Sequence, residues 1–159
     1  MTISYRPIGT IRSPFEGVEQ VPIQPAAASG IRGTVEVSAE FADGLQDLGG
    51  FSHVILLYHF HRVTQARLTV VPFLDDRPRG VFATRAPSRP NPIGLSIVRL
   101  LEIEGNLLHV ENLDIVDGTP LLDIKPYVPA FDHNEAERTG WLETTGARVK
   151  ETRSDDRFK

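Results

Sequence analysis

The sequence predicts an all-β or β-rich fold: a single β-barrel domain, dominated by antiparallel strands, with one or two short helices. Two observations predict it. Apolar segments are short and numerous, and 13 glycines and 12 prolines separate them within 159 residues, which is typical of small barrels. The chain also has no G-x-G-x-x-G motif after a strand and little room for alternating strands and helices, so no Rossmann fold is expected.

The first half of the chain consists of short apolar segments joined by loops. Residues 8–11 alternate in part and residues 34–38 alternate cleanly, so both are predicted strands. Residues 38–50 are predicted as a short helix, because apolar residues recur at helical spacing between a serine and two glycines. Residues 54–60 form a continuous apolar run, whose length predicts a strand buried on both faces. Residues 67–71 are a further strand candidate.

The second half contains the clearest local signal, a two-residue Gly-Asn loop between the apolar segments 95–104 and 107–116. Such a loop is typical of a tight β-hairpin. Extended structure is predicted again over residues 121–127, after a turn at Asp117 and Gly118. A short helix is predicted over residues 132–138.

We expect a barrel domain over residues 1–140 and a C-terminal extension over residues 141–159 that is partly flexible and frayed from Glu151 onward. No apolar run is long enough to span a membrane, and the first residues lack the basic start and apolar core of a signal peptide. A soluble, cytoplasmic protein is therefore expected. The absence of cysteine excludes disulfides, zinc ribbons, iron–sulfur clusters and thiol catalysis.

Charge is distributed unevenly along the chain. The net charge of −4 argues against bulk affinity for nucleic acid. Residues 62–101, however, carry seven arginines and two aspartates, a balance of +5. Because guanidinium groups bind phosphates and carboxylates in a bidentate manner, this stretch is a candidate anion site. A genome that favours arginine codons would produce the same bias.

The most unusual segment is the proline-rich loop GVFATRAPSRPNPIG at residues 80–94. Pro87, Pro90 and Pro92 each fix φ and restrict the residue before them. The loop is therefore predicted to be stiff, with little entropy to lose when it binds a ligand. Arg85 and Arg89 project from it, as expected of a pre-organised anion site. The alternative is a rigid crossover whose arginines bind backbone carbonyls.

Other motifs carry weaker signals. The sequence has no P-loop and no G-x-S-x-G elbow. His59 and His61 alternate on a predicted strand, but no third ligand accompanies them, and a lone His-x-His pair is a weak metal signal; no metal is expected. Asp117 begins a D-G-T-P turn with the Thr119 hydroxyl beside it, which on turn chemistry alone is a capped turn between strands.

Four segments resemble the TsaA-like family in order and spacing, from about Ile8 to Asp132: IGTIRSPF, FSHVILLYHFHR, GVFATRAPSRPNPIGLS and DIVDGTPLLDIKPY. The best-known members of this family are tRNA N6-threonylcarbamoyladenosine methyltransferases called TrmO. The resemblance implies a homodimeric β-barrel that binds S-adenosylmethionine without a Rossmann fold, with tRNA as its substrate and no membrane as a partner.

The resemblance also implies the residues of the site. The cofactor would be bound by Ile23, Gln24, Pro25, His61, Arg62, Arg85, Leu95, Asp117, Gly118, Thr119 and Pro120. The methyl acceptor would be bound by Arg89, Asn91, Lys125 and Tyr127. Asp117 is the candidate catalytic residue, because a base is needed if the acceptor N–H is lost as the new bond forms. Ile23 stands where the family usually has arginine.

These residue types suit the chemistry of the cofactor, which has a carboxylate, a sulfonium cation and an adenine. Arg85 or Arg62 could bind the carboxylate. Asp117 could balance the amino group or the sulfonium, or take a proton. Leu95 and Ile23 could present apolar surface and backbone groups to the adenine.

The sequence therefore predicts an S-adenosylmethionine-dependent methyltransferase that acts on N6 of threonylcarbamoyl-adenosine next to a tRNA anticodon. Two alternatives stay open. One is a methyltransferase that acts on a small molecule or another nucleotide. The other is a binding module for S-adenosylmethionine without catalysis.

Overall fold

The computed structural model describes residues 1–23 and 27–143, and within them eight strands and one α-helix. The strands are β1 (Gly9–Arg12), β2 (Arg32–Val37), β3 (His53–His59), β4 (Thr69–Val70), β5 (Arg79–Gly80), β6 (Ile93–Glu104), β7 (Leu107–Glu111) and β8 (Thr119–Pro126). The helix α1 is Pro129–Asp132. Single 3-10 segments cover Val18–Gln20, Ala39–Leu45, Leu48–Gly50, Val81–Ala83 and Gly140–Glu143.

Six of the strands form a closed antiparallel barrel in the order β1-β2-β7-β6-β3-β8, and β8 pairs with β1 to close it. The two short strands β4 and β5 pair with each other outside the barrel. The prediction of a β-rich barrel is therefore confirmed. Closure pairs each of the six barrel strands on both sides, so the barrel itself has no open sheet edge.

The barrel interior is filled by side chains that alternate along each strand. On β3, Val54 and Leu56 are fully buried and pack against aliphatic residues of the other strands. The prediction that residues 54–60 are buried on both faces is wrong, because Ile55 and Leu57 on the other face are only partly buried. A strand of a closed barrel has one inner face, and the apolar outer positions made the run look continuous.

β6 and β7 form the predicted hairpin, and Gly105 in its loop has a φ of 61°. This left-handed conformation favours glycine. β7 ends at Glu111 instead of continuing to residue 116, because Asn112 has a φ of 67° and turns the chain. Residues 113–115 follow this turn and are buried against the core.

Both predicted helices differ from the structure. Residues 38–50 form two 3-10 segments, since Asp47 between them has a left-handed φ of 68°. Ser38 makes no side-chain capping bond. The helix predicted over residues 132–138 is wrong: α1 lies earlier, and it begins at Pro129, whose fixed φ suits the first helical position.

The remaining expectations concern short segments and the chain end. β4 covers only two residues of the strand predicted over 67–71, and Pro72 follows it closely. The frayed tail predicted from Glu151 lies outside the described residues. No helix in residues 1–23 and 27–143 is long and apolar enough to cross a bilayer.

Candidate active site

A large cavity opens at the end of the barrel where β3 ends and where β6 and β8 begin. Its volume is about 750 Å³, which is in the range of small-molecule sites. Its walls are mainly apolar, and the aromatic residues among them are Tyr58, Phe60, Phe73, Phe82 and Trp141. The titratable side chains that line it are Tyr58, His61, Arg62, Arg85, Arg89 and Asp114. Within the described residues, Asp114 is the only acidic residue of the lining.

Two side chains of the cavity lining, Tyr58 and Asp114, are linked through the neighbouring Ser96 in a chain of hydrogen bonds between buried polar groups, the 58–96–114 network. Ser96 Oγ donates to Asp114 Oδ1 at 2.6 Å, and Tyr58 Oη lies 3.0 Å from Ser96 Oγ. Their exposed fractions are 5% for Tyr58, 1% for Ser96 and 9% for Asp114. Because Ser96 gives its proton to the carboxylate, the Tyr58 hydroxyl donates to Ser96.

The backbone of β6 determines where the Tyr58 ring lies. Gly94 is the sheet partner of Tyr58, and a Cβ atom at Gly94 would clash with the Tyr58 ring. Phe60 contacts the same ring edge to face, with 5.4 Å between centroids. Glycine is therefore required at position 94 for the ring to lie flat on the strand and for its hydroxyl to reach Ser96.

Burial dominates the electrostatics of the cavity. Desolvation raises the pKa of Asp114 to about 7, although the Ser96 hydrogen bond, its own backbone amide and the Arg85 charge act in the opposite direction. Burial, with the charge of Asp114 as a second cause, raises the pKa of Tyr58 far above its usual value. Burial and the neighbouring charges of Arg62 and His59 lower the pKa of His61. Perturbed pKa values of groups that line a cleft are typical of functional sites.

The proline-rich loop is held by one of its own arginines. Arg89 Nη1 donates to the carbonyls of Thr84, Ala86 and Val81 at 2.9, 3.2 and 3.2 Å. Its guanidinium also lies 5.9 Å from the Phe82 ring centroid. Arg89 thus fits the alternative of an arginine that binds carbonyls, whereas Arg85 is exposed at the cavity.

The D-G-T-P turn connects the cavity to β1. Asp117 Oδ1 accepts a hydrogen bond from the Ser13 backbone N–H at 3.1 Å, and Asp117 Oδ2 lies 3.8 Å from Arg12 Nη1. Gly118 has a φ of 76°. Thr119 Oγ1 donates to the Val116 carbonyl at 2.6 Å and lies 3.4 Å from His61 Nδ1. Thr119 lines the cavity, whereas Asp117 is turned toward β1.

The structure brings together part of the residue set implied by the sequence. Seven of those residues line the cavity: Ile23, His61, Arg62, Arg85, Arg89, Leu95 and Thr119. Six do not line it, namely Asn91, Asp117, Gly118, Pro120, Lys125 and Tyr127. Gln24 and Pro25 lie outside the described residues.

Two of the residues predicted to bind the acceptor lie toward the other end of the barrel. Lys125 pairs with Ile55 in the sheet and its Nζ atom lies 2.8 Å from Asp123 Oδ2. Tyr127 contacts the His53 ring at the start of β3, with 6.3 Å between centroids. The cavity opens at the end of β3 instead.

The two histidines do not alternate on one strand as expected. His59 is the last residue of β3, and His61 follows in a turn that lines the cavity. No group of three or more histidine or acidic side chains placed to hold a metal ion occurs in the described part of the chain.

Sequence reasoning missed the 58–96–114 network. Tyr58, Ser96 and Asp114 each lie within apolar segments that the sequence predicts as strands. One signal was available: a charged residue between Leu113 and Ile115 must be paired or neutralised when it is buried. Trp141 and Leu142, assigned to the extension, also line the cavity.

One end of the barrel holds an apolar cavity, whose described lining includes three arginines and one buried carboxylate. This arrangement is typical of a β-barrel protein that binds a small molecule. The chain belongs to the family described as the tRNA-methyltransferase O N-terminal domain, which matches residues 10–133. The resemblance found in the sequence is thereby confirmed.

Several relatives match 80% or more of this chain. A probable S-adenosyl-L-methionine-binding protein of Pyrococcus abyssi is 56% identical over 99% of this chain and 86% of its own length. The tRNA (adenine(37)-N6)-methyltransferase of Escherichia coli is 41% identical over 80% of this chain and 59% of its own. The crystal structure of TrmO from Pseudomonas aeruginosa is 43% identical, with a TM-score of 0.75 over 89% of this chain and 63% of that one. The chain thus spans about 60% of the two bacterial relatives.

Proposed function

We propose that this protein is an S-adenosylmethionine-dependent methyltransferase that acts on N6 of threonylcarbamoyl-adenosine next to the anticodon of tRNA. The observation that carries the proposal is the cavity of about 750 Å³ with Arg85 and Asp114 on an apolar background, in a barrel of the tRNA-methyltransferase O family. The names of the Pyrococcus and Escherichia relatives support the cofactor and the substrate.

The lining fits the cofactor group by group. Arg85 and Arg62 can hold its carboxylate through charge-assisted hydrogen bonds. Ile23 and Leu95 offer apolar surface to the adenine, and Asp114 offers the negative charge for a cationic group. We keep Gln24, Pro25 and the 117–120 turn as parts of this site, with Asp117 acting through the position of Thr119.

When bound, S-adenosylmethionine supplies a methyl group on a positively charged sulfur. The protein's task is then to align the acceptor nitrogen with that methyl group in a space without water, and positioning of this kind supplies most of the rate of a displacement. Rigid walls favour it. Arg89 ties the proline-rich loop to its own carbonyls, and the Trp141 indole N–H donates to the Ala83 carbonyl at 2.8 Å.

The surface around the cavity suits a nucleic-acid acceptor. Phe82 lies at the cavity and its side chain is 75% exposed, so that an unstacked base can stack on it. Arg62, Arg85 and Arg89 line the cavity, and positive charge at its rim favours contacts with phosphates and binding that weakens with salt. We propose that Arg89 and Asn91 present this loop to the acceptor.

The same proposal includes a homodimer in the cytoplasm, where tRNA is modified. Several large apolar side chains on or next to β6 are exposed, namely Phe51, Ile93, Leu95 and Leu101, with exposed fractions from 37% to 47%. An apolar strip of this kind is typical of a contact between protein surfaces. Light scattering would give the mass of a dimer at micromolar concentration.

The test is a methylation assay. The protein is incubated with S-adenosylmethionine and tRNA from a strain that lacks this gene, and modified nucleosides are measured by mass spectrometry. We expect N6-methylated threonylcarbamoyl-adenosine to form. Binding of the cofactor without this product contradicts the proposed reaction, and a product formed with free nucleoside but not with tRNA points to a small-molecule acceptor.

A matched pair of variants tests the cofactor site. Arg85→Gln removes a cation from the cavity, so we expect at least a tenfold rise in the dissociation constant of S-adenosylmethionine in calorimetry, as for the loss of a hydrogen bond to a charged group. Arg99→Gln is the control, because Arg99 lies on β6 outside the cavity and pairs with Glu111 at 3.6 Å. Equal affinities of the two variants would contradict the assignment.

A further inference from the structure

Asp114, the only acidic residue among the described residues of the cavity lining, is also the end of the 58–96–114 network. Asp114 lines the cavity and is 9% exposed. Three arginines line the same cavity, so positive charge is in excess around it. Burying a carboxylate costs free energy unless it is paired or protonated. A buried carboxylate that lines a cleft is therefore a candidate functional group.

We propose that Asp114 is the general base of the reaction and accepts the proton of the acceptor nitrogen during methyl transfer. This inference rests on the proposed function, and it concerns a residue other than the Asp117 nominated by the sequence. Tyr58 and Ser96 are positioning residues, because they act on the carboxylate and not on the substrate.

The geometry fixes the carboxylate in one orientation. Ser96 donates to Oδ1 at 2.6 Å, and Tyr58 in turn donates to Ser96 at 3.0 Å. The Tyr58 ring is held by Gly94 below it and Phe60 at its edge. A carboxylate has about four acceptor sites, so one hydroxyl donor leaves acceptor capacity for the N–H of a ligand in the cavity.

The reaction balances with Asp114 as the proton acceptor. The lone pair of the acceptor nitrogen forms a bond to the methyl carbon, the bond between this carbon and sulfur breaks, and its electron pair stays on sulfur. The N–H proton passes to the Asp114 carboxylate. The products are a neutral thioether, a neutral N-methylated base and a neutral carboxylic acid, so no oxidant, reductant or further reactant is needed.

The charge change of the reaction favours this role. A sulfonium cation in the cavity stabilises the ionised carboxylate before transfer. After transfer the sulfur is neutral, and a buried carboxylate without a cation binds a proton more readily. The proton affinity of Asp114 therefore rises at the moment when a proton must be accepted.

Other titratable and charged groups around the cavity set the pH range. Arg85 is the cation that acts on Asp114, and Arg62 and Arg89 line the same space. The pKa of Tyr58 is raised, so its hydroxyl keeps its proton at neutral pH. The pKa of His61 is lowered, so its ring is neutral there. Asp114 is thus the group of this set expected to titrate near pH 7.

The test compares wild type with Asp114→Asn, which keeps the size of the side chain. Single-turnover methylation of tRNA from the gene-deleted strain is measured from pH 5.5 to 9 at saturating S-adenosylmethionine. We expect the wild-type rate to rise with pH and level off, and Asp114→Asn to be at least 100-fold slower, as for the loss of a general base. Asp43→Asn is the control, because Asp43 is exposed in the 39–45 segment outside the cavity.

A second readout does not depend on turnover. Calorimetry of S-adenosylmethionine binding at pH 7, in buffers with different ionisation enthalpies, gives the number of protons released. Because the bound cation favours the ionised carboxylate, we expect the wild type to release more protons than Asp114→Asn, while the two dissociation constants differ by less than tenfold.

Ser96→Ala gives an independent measurement if the amide variant folds poorly. Loss of the Ser96 hydrogen bond removes an interaction that lowers the pKa of Asp114, so the midpoint of the pH–rate profile should move to higher pH. An unshifted midpoint would overturn the proposal, as would wild-type rates in Asp114→Asn. Hundredfold weaker binding with a normal saturated rate would make Asp114 a counter-ion only and also overturn it. If the wild type itself forms no product, the proposed function fails first.

Discussion

Two aspartates lie three residues apart in the segment that joins β7 to β8, and their surroundings are opposite. Asp114 is 9% exposed, faces the cavity and is bonded to a buried serine. The side chain of Asp117 is 37% exposed and faces β1, where it binds the Ser13 amide and lies near Arg12. The same short segment thus contains one buried acid that faces the cavity and one partly exposed acid whose contacts hold the backbone.

The comparison shows that the acid of the D-G-T-P motif and the acid before it have different roles. The D-G-T-P turn is conspicuous in the sequence because Asp117 and Gly118 satisfy turn geometry. Its hydrogen bonds hold the segment on β1, which brings Thr119 to the cavity. The buried acid before the turn is inconspicuous, yet burial is what changes the proton affinity of a carboxylate. Asp117, which the motif makes conspicuous, thus holds the backbone of the segment that also carries Asp114.

The largest expected effect concerns the stability of the ligand-free protein. Because the pKa of Asp114 is raised from 3.8 to about 7, the folded state binds more protons than the unfolded state between these values. Its contribution is fully present below pH 3.8 and is lost as pH rises through 7. At about 1.36 kcal/mol for each unit, the free energy of unfolding of wild type should fall by about 4 kcal/mol relative to Asp114→Asn between pH 4 and 8.

Urea unfolding of both proteins across this pH range measures the difference directly. Other titrating groups are common to the two proteins and cancel. Asp43→Asn should follow the wild type at every pH, since Asp43 is exposed. Parallel curves for wild type and Asp114→Asn would mean that the carboxylate is hydrated in solution.

A middle effect is expected at the glycine below the buried network. Gly94→Ala places a Cβ against the Tyr58 ring, and such overpacking costs about 1–3 kcal/mol. The ring must move, so the Tyr58–Ser96 bond should weaken while the 117–120 turn is unchanged. Gly17→Ala is the matched control, because nothing lies within 4 Å of a Cβ there. Equal melting temperatures of the two variants would contradict the packing described here.

The smallest effect is expected at the exposed acid. Asp117→Ala leaves the Ser13 amide without its acceptor and removes the long ion pair to Arg12. The lost hydrogen bond costs about 1 kcal/mol in the free energy of unfolding. Arg12→Gln removes only the exposed pair and should change stability by less than about 0.5 kcal/mol. A larger loss in Arg12→Gln than in Asp117→Ala would reverse the roles of the two contacts.

The elements with local signals could be predicted from the sequence. Gly105 and Asn106 predicted the hairpin because a two-residue loop has few solutions. The inner face of β3 could not be predicted, since apolar residues also cover the outside of this strand. The two predicted helices differ from the structure for local reasons. Asp47 has a left-handed φ, which interrupts the segment 38–50. α1 begins at Pro129, before the segment predicted as a helix.

The site was predictable where its residues share a loop or a known motif. Arg85 and His61 line the cavity as expected. The 58–96–114 network was not predicted because its members come from β3, β6 and the segment after β7, and only barrel closure brings them together. Lys125 lies away from the cavity because its sheet register pairs it with Ile55, near the start of β3.

The most direct test of the central claim compares the two aspartates in one assay. Asp114→Asn and Asp117→Asn are each loaded with saturating S-adenosylmethionine, and the single-turnover rate of tRNA methylation is measured at pH 8. We expect Asp114→Asn to lose at least 100-fold and Asp117→Asn to lose less than tenfold, because only the first acid faces the cavity. A greater loss in Asp117→Asn would place the base at the turn and contradict the assignment of Asp114.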